Sequence, residues 1–302
     1  MKKKLVVLLG PTGIGKTSTS LRLAQSFGAS IISADSRQVF REMKIGTASP
    51  DDEQLKAVPH YFIANKSIFD RYSSGQYELD VIDLLQELHK KNDVVLLVGG
   101  SMLYIDAVCK GIDDLPTVEE NVRRDLLQVY EERGIEYLRS QLKLLDPDYY
   151  NQVDLRNAKR ILHALEICYM TQKPYSSLRT NPQKRRPFDI IKIGLNCERG
   201  ELYNRINDRV DLMIQMGLEN EAKSLYQHRN LNALNTVGYK EMFKYFDGEW
   251  DLDFAVEMIK QNTRRYAKKQ LSWFMKDEKV KWFHPGDFEL IQNYIREQID
   301  NA

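Results

Sequence analysis

Cysteine is scarce in this sequence and forms no framework: Cys109, Cys168 and Cys197 are odd in number, far apart and without C-x-x-C spacing. That excludes a disulfide-stapled scaffold and a zinc ribbon, and leaves three small hydrophobes expected in the core. His60 has no second metal-ligand candidate near it and reads as structural. No apolar run approaches the roughly 20 residues of a membrane span. The basic start Lys2-Lys3-Lys4 before Leu5 to Leu9 looks like the opening of a secretory leader, but Gly10-Pro11 cut the apolar run short. An excess of charge is absent too. With 44 Lys and Arg against 43 Asp and Glu the formal net charge is +1, so any basic surface must be local. A cytoplasmic protein with no membrane partner is expected. What remains is an ordinary globular composition, 42% hydrophobic and 29% charged over 302 residues, enough for one large domain or two modest ones.

The first strand and the turn after it organise the chain. The apolar run Leu5-Val6-Val7-Leu8-Leu9 feeds Gly10-Pro11-Thr12-Gly13-Ile14-Gly15-Lys16-Thr17, a G-x-x-x-x-G-K-T phosphate-binding loop. Leu21, Leu23 and Ala24 then continue in helical spacing. Glycines let backbone N–H groups turn inward around phosphate oxygens, and the helix N-terminus adds a favourable dipole. Lys16 brings a mobile positive charge and Thr17 a hydroxyl for Mg²⁺. Such a loop holds a di- or triphosphate, whether or not a nucleoside is attached.

A second strand over Ala29 to Ala34 stops at Asp35-Ser36-Arg37-Gln38. Carboxyl ends of parallel strands face the ligand crevice, so Asp35 is expected to point toward the phosphate loop as a base or an outer-shell magnesium ligand. Helix capping ahead of Val39-Phe40 is the competing role. Val58 to Ile63 reads as a short strand, and Tyr77 to Lys90 as a helix with Val81, Leu84, Leu85 and Leu88 on its apolar side. Asp93 to Gly100 is a continuous apolar run, as for a central parallel strand covered on both faces. It ends in Gly-Gly-Ser, where a typical P-loop ATPase or GTPase carries a metal-organising Asp, and this counts against nucleotide hydrolysis.

From Gly111 to about Arg186 the pattern turns helical. Val122, Leu126, Val129 and Tyr130, then Ile161, Leu165, Cys168 and Tyr169, keep helical spacing, and a basic loop over 179–187 closes the segment. Its charges read as a solvated face or as a contact surface. Strand character returns over Asp189 to Asn196. The next helix has Leu202, Ile206, Val210 and Met213 on its core side. Arg205 and Arg209, one turn apart, are placed to clamp a pyrophosphate or to pair with Asp208 or Asp211. A long helix from about Phe254 to Lys276 carries Lys260, Arg264 and Lys268 as one stripe with Arg265 and Lys269 beside it, a track suited to a phosphate backbone. Trp273-Phe274 at its end packs in the core or stacks on a base. The expected fold is α/β: a P-loop NTPase/kinase-like parallel sheet with flanking helices over 1–111 and 187–302, interrupted by a helical insertion domain over 112–186.

Eight segments occur in one register: Gly10 to Thr17; Asp35-Ser-Arg-Gln38 with Ile45-Gly-Thr-Ala48; Pro59-His60; Tyr72-Ser73 with Gly75; Val98-Gly-Gly-Ser101 with Leu103-Tyr104-Ile105; Arg160 before Ala164-Leu-Glu166; Gly238-Tyr-Lys-Glu241; and Arg265-Tyr-Ala-Lys268 with Gln270 and Trp273-Phe274. In this the chain resembles the bacterial tRNA dimethylallyltransferase (tRNA isopentenyltransferase) family from its first strand to its last long helix. It departs from the family pattern at Lys44, Ser49 and Ala64, at Ser101-Met102 where Thr-Gly is usual, and at His163 where an Arg is usual.

The resemblance implies transfer of a dimethylallyl group from dimethylallyl diphosphate to N6 of the adenosine immediately 3′ of the anticodon, releasing pyrophosphate. The expected partner is the anticodon stem-loop of tRNA, the cofactor Mg²⁺ and the working form a monomer. The loop from Gly10 to Thr17 would grip the diphosphate with Arg205 and Arg209, Mg²⁺ would sit at Thr17, and Lys16, Thr17 and Asp35 would be catalytic, Asp35 accepting a hydrogen bond or proton from the amine. Asp35, Ser36, Arg37, Gln38, Ser101, Arg123, Lys159, Arg160, Arg264, Arg265 and Lys268 are the positions it assigns to tRNA. Three other readings stand beside it: a small-molecule P-loop kinase, an RNA-binding protein without catalysis, and a prenyltransferase acting on free adenosine phosphates. The Gly-Gly strand end disfavours the first, intact Lys16, Thr17 and Asp35 the second, and the insertion with its basic partner helix the third.

Overall fold

The computed structural model describes residues 3–180 and 183–300. Lys2 of the basic start, and two positions of the loop expected over 179–187, lie outside the described residues. Along the chain run β1 (Lys4–Leu9), α1 (Lys16–Phe27), β2 (Ile31–Ala34), α2 (Asp52–Ala57), β3 (His60–Tyr61), α3 (Ser74–Lys91), β4 (Val94–Gly99) and α4 (Met102–Lys110). Four helices follow: α5 (Glu120–Leu145), α6 (Pro147–Tyr150), α7 (Ala158–Thr171) and α8 (Tyr175–Leu178). The chain then returns through β5 (Asp189–Leu195), α9 (Arg199–Gln215), α10 (Leu218–Leu225), α11 (Tyr239–Phe246), α12 (Leu252–Phe274), β6 (Val280–Phe283) and α13 (Phe288–Asp300). No described helix is long and apolar enough to cross a membrane.

Backbone contacts divide the chain into two compact units, Met1–Cys109 with Arg185–Ala302, and Lys110–Lys184. The first is built on a six-stranded sheet in the order β3-β2-β4-β1-β5-β6, with every pairing parallel. Alternation along β1 explains why its run is apolar throughout. Val6 and Leu8 pack with Ile14, Leu23, Ile206 and Ile295 on one face, and Leu5, Val7 and Leu9 with Tyr77, Val81 and Tyr104 on the other. Each such buried aliphatic side chain contributes about 1.5–3 kcal/mol. Lys4, almost fully buried at the start of β1, is neutralised across the strands by Asp189 of β5, its register partner, at 2.9 Å. A separate cluster joins α9 to α12 through Val210, Met213, Leu218, Tyr239, Met242 and Ile259.

The second unit is helical. Its core holds Leu126, Leu138 and Leu142 of α5 with Ile161, Leu162 and Leu165 of α7, while Tyr169, grouped with them by spacing, is exposed. Glycine at 134, with φ 72°, breaks the helical path inside α5. Of the three cysteines, Cys109 and Cys168 are buried, but Cys197 is only half-buried. His60 is held structurally, its Nδ1 2.7 Å from the carbonyl of Val58.

Candidate active site

The phosphate loop joins β1 to α1 with Gly13 at φ 82° and Gly15 at φ 101°, the left-handed region that side chains disfavour. A Cβ on Gly13 would also meet Ile206 of α9 at 2.8 Å, so the glycine permits that helix to close over the loop. Lys16 folds back and donates to the carbonyls of Gly10 and Pro11 at 2.9 and 2.8 Å. Burial, with Arg209 beside it, brings its ammonium down to about 7 against the opposing pull of Asp35. Thr17 is exposed on the first turn of α1.

The two arginines of α9 both reach this loop, in different ways. Arg209 donates to the hydroxyl of Thr12 at 3.2 Å, and burial lowers its pKa against the attraction of Asp35. Arg205 donates to the carbonyl of Ile14 at 3.3 Å and pairs with Glu201 at 2.9 Å. Neither pairs with Asp208 or Asp211, the partners the spacing suggested; Asp211 is held by Lys260 at 2.8 Å. That contact takes Lys260 out of the basic track, because it faces α9.

Asp35 follows β2 at the carboxyl end of the sheet. The helix that it was a candidate to cap does not form. Its Oδ1 accepts instead from the N–H groups of Arg37 and Gln38 at 2.8 and 3.3 Å, holding a turn. Among the described residues Oδ2 has no hydrogen bond. Ser101 is buried beside it, its hydroxyl accepting from the N–H of Ser36 at 2.8 Å and donating to the Ser36 hydroxyl at 3.1 Å. Gln38 turns inward: its amide donates to the carbonyls of Thr47 and Ala48 at 3.3 and 3.1 Å and accepts from Ser33. Arg37 donates to the carbonyls of Asn232 and Ala233, both at 3.1 Å.

The glycine pair at the end of β4 has a packing reason. A Cβ at Gly99 would lie 2.1 Å from the carbonyl oxygen of Ala34, and one at Gly100 would lie 2.3 Å from Nε2 of Gln270. Buried Gln270 uses that space to donate to Gly100 at 2.8 Å and to accept from the N–H of Thr12 at 2.9 Å, bracing the phosphate loop against the end of β4.

One cavity of about 570 Å³ takes in Thr12, Asp35, Ser36, Arg37, Ser101 and Arg209. Its far wall was not read from the sequence as a site: Ile206, Val210 and Met213 of α9, Thr236 to Gly238, Glu241, and Ile259, Asn262 and Tyr266 of α12. The helical spacing of 206, 210 and 213 marks a buried face without saying that part of it borders a cavity. The Gly238-Tyr-Lys-Glu241 motif, and Tyr266 within Arg265-Tyr-Ala-Lys268, were the local signals. Arg265 and Lys269 also line the cavity, whereas Lys268 borders a smaller hollow of about 210 Å³ with Cys197 and Tyr203. Arg264 donates to Asn207 at 2.6 Å with its guanidinium toward the Tyr203 ring. With five cations on its wall against Asp35 and Glu241, the cavity favours an anionic ligand. Of the aromatic pair closing α12, Phe274 is buried, and Trp273 is exposed with its indole N–H 2.8 Å from Asp106.

Arg123, Lys159 and Arg160 belong to the helical unit. Arg123 forks onto buried Glu166 at 2.6 and 2.8 Å, and His163 Nδ1 lies 3.3 Å from the same carboxylate. Burial raises the Glu166 pKa, but Arg123 and His163 outweigh it and carry the group down to about 2. Lys159 and Arg160 are exposed at the start of α7.

A model of the IPP transferase family matches residues 38–277. The chain is 58% identical over 297 residues to tRNA dimethylallyltransferase 1 of Bacteroides fragilis, covering 98% of this chain and 99% of that one. Among solved structures it is similar to the full-length tRNA isopentenylpyrophosphate transferase of Bacillus halodurans, at 35% identity and a TM-score of 0.74, covering 99% of this chain and 98% of that one. It is also similar to a eukaryotic dimethylallyltransferase acting on tRNA, at 25% identity and a TM-score of 0.77, covering 93% of this chain and 74% of that one.

Proposed function

The chain belongs to the tRNA dimethylallyltransferase family, and on that footing we propose that it transfers a dimethylallyl group from dimethylallyl diphosphate to N6 of the adenosine 3′-adjacent to the anticodon of tRNA, releasing pyrophosphate. The observation that carries this reading is the single cavity with Thr12 and Arg209 of the phosphate side and Asp35 on one surface. Leaving group and acceptor can therefore meet without crossing bulk water.

The diphosphate lies against the loop from Gly10 to Thr17, where Lys16 and Arg209 face the oxygens that gain charge as the carbon–oxygen bond breaks. Arg209 is the clamp. Arg205 stabilises the loop from outside through Ile14. The prenyl chain runs along Ile206, Val210, Met213 and Ile259, and N6 attacks the carbon bonded to the diphosphate oxygen, displacing pyrophosphate, while the proton of N6 passes to Asp35. Two backbone N–H groups fix Oδ1 of that carboxylate, leaving Oδ2 to the amine. Ser36, Arg37 and Ser101 shape the adenine end, Gln38 acts by holding the loop at Thr47 and Ala48, and Arg265, Lys269 and Lys268 attract the RNA phosphates. Arg264 supports the same face, and the helical unit adds Lys159 and Arg160, with Arg123 acting through Glu166.

Among the described residues no group of three or more His, Cys, Asp or Glu is placed to hold a metal ion. The donor set instead fits a Mg²⁺ carried by the diphosphate, with the exposed Thr17 hydroxyl as protein ligand. Bound there, it would neutralise charge on the leaving group. The protein acts in the cytoplasm as a monomer.

Purified protein with Mg²⁺ and dimethylallyl diphosphate is expected to prenylate an anticodon stem-loop carrying adenosine at that position. Turnover of ATP with a small hydroxyl acceptor, and none with the stem-loop, would mark a kinase. Prenylation of adenosine monophosphate alone would mark the free-nucleotide variant.

A further inference from the structure

One carboxylate behind the cavity wall is bound with more contacts than its surface position on α10 requires. Glu221 accepts the backbone N–H groups of Lys44, Ile45 and Gly46 at 2.9, 2.8 and 2.9 Å, and the hydroxyl of Tyr239 at 2.6 Å. Three consecutive N–H groups converging on one anion form a nest, here filled by the protein's own side chain. Each bond is charge-assisted and so among the stronger kind.

The loop held this way is part of the cavity. Gly46 and Thr47 line it with Asp35, Ser36 and Arg37. Its other flank is fixed by the Gln38 amide on the carbonyls of Thr47 and Ala48. The fit admits no side chain at 46, where a Cβ would lie 2.6 Å from the Tyr239 ring. Ala48 adopts φ 46°, a left-handed conformation that costs alanine about 1 kcal/mol and that the surrounding contacts must sustain.

We infer that Glu221 is a positioning residue for the transfer: through the nest it sets the wall from Lys44 to Thr47 against which the acceptor nucleotide is presented to Asp35. This rests on the functional reading above. It assigns Glu221 to the acceptor side, because none of its contacts touches the loop from Gly10 to Thr17, where the diphosphate binds.

The test compares Glu221→Gln and Tyr239→Phe with wild type in three measurements on the full chain: kcat and KM for the stem-loop, pyrophosphate affinity by calorimetry, and amide hydrogen exchange over 44–46. In Glu221→Gln one oxygen facing the nest becomes an N–H₂ group. Faster exchange at those amides, at least tenfold lower kcat/KM for the stem-loop and unchanged pyrophosphate affinity are expected. Tyr239→Phe keeps the nest and loses only the hydroxyl, so it should fall between. Unaltered kcat/KM, or unaltered exchange, would overturn the assignment. So would a pyrophosphate affinity that falls in step with turnover, since that is general loosening. A wild-type protein that prenylates nothing would fail the functional reading instead, and the exchange measurement would then decide alone whether Glu221 holds the wall.

Discussion

The two faces of the cavity are made by different means. The phosphate side is backbone: consecutive residues from Gly10 to Thr17, three of them with positive φ, curl around one point, and only Lys16 and Arg209 add side-chain charge. The opposite side is assembled from separated segments. Loop 44–47 is held by Glu221, the turn at 236–238 by Glu241, and α9 and α12 supply the apolar floor. Two carboxylates set this wall through their hydrogen bonds, Glu241 by accepting from Gly238 and from Asn262, both at 2.8 Å. A phosphate can be recognised by generic backbone N–H groups, whereas an adenine and a prenyl chain need a shaped surface, and shape has to be supported from behind.

Asp35 stands where the two faces meet, so its replacement should have the largest effect. Asp35→Asn retains an oxygen for the Arg37 and Gln38 N–H groups and removes the proposed base. Its kcat is expected to fall by about 10²–10⁴-fold with stem-loop affinity nearly unchanged. Asp35→Ala removes the turn contact as well and should cost about 1 kcal/mol of stability besides. Unaltered turnover in Asp35→Asn would take proton acceptance away from Asp35 and leave charge and orientation as the only work of the site.

Gln270 is the next step down, because it braces the phosphate loop from a buried position that does not line the cavity. Gln270→Leu leaves the N–H of Thr12 and the carbonyl of Gly100 without their buried partner, an expected loss of about 2 kcal/mol in denaturant unfolding. Pyrophosphate affinity should weaken with it, while kcat/KM corrected for donor occupancy stays near wild type. A loss confined to the acceptor would mean that the loop at Thr12 belongs to the shaped wall and not to the generic cradle.

The same division decides what could be read from the chain. The turn from Gly10 to Thr17 was legible because it lies in one contiguous segment whose glycines have few other uses. The sheet was legible for a similar reason, since strands buried on both faces print continuous apolar runs such as β1 and β4. Asp35 was legible as a residue at a strand end, but not its dual use, because whether a helix or a turn follows depends on how Gln38 meets Thr47 across the loop. The wall was not legible. Ile206, Val210 and Met213 carry the same spacing whether they face core or cavity, and Glu221 looks like any surface acid on a short helix until three N–H groups from 175 or more residues away are brought to it. The basic stripe on α12 failed in part for the same reason: spacing put Lys260 in it, and the neighbour on α9, Asp211, took it out.

The smallest effect probes the charge that the backbone cradle adds to itself. Burial and Arg209 hold the Lys16 ammonium at about 7, so in the free protein it is largely charged below that pH and largely neutral above it. A bound diphosphate favours the charged form, and binding above pH 7 must therefore take up a proton. Pyrophosphate affinity should weaken as pH rises from 7 to 8, by less than about tenfold. The anion's own titration contributes to the measured curve, which Lys16→Arg separates, since a guanidinium stays charged throughout. Whatever its absolute affinity, the variant's profile should be flatter than wild type by that slope. Calorimetry in two buffers of different ionisation enthalpy would count the proton directly. Parallel profiles and no proton uptake would show that Lys16 is charged across the range. The phosphate face would then bind by fixed charge and backbone alone, and the contrast with the shaped wall would be sharper still.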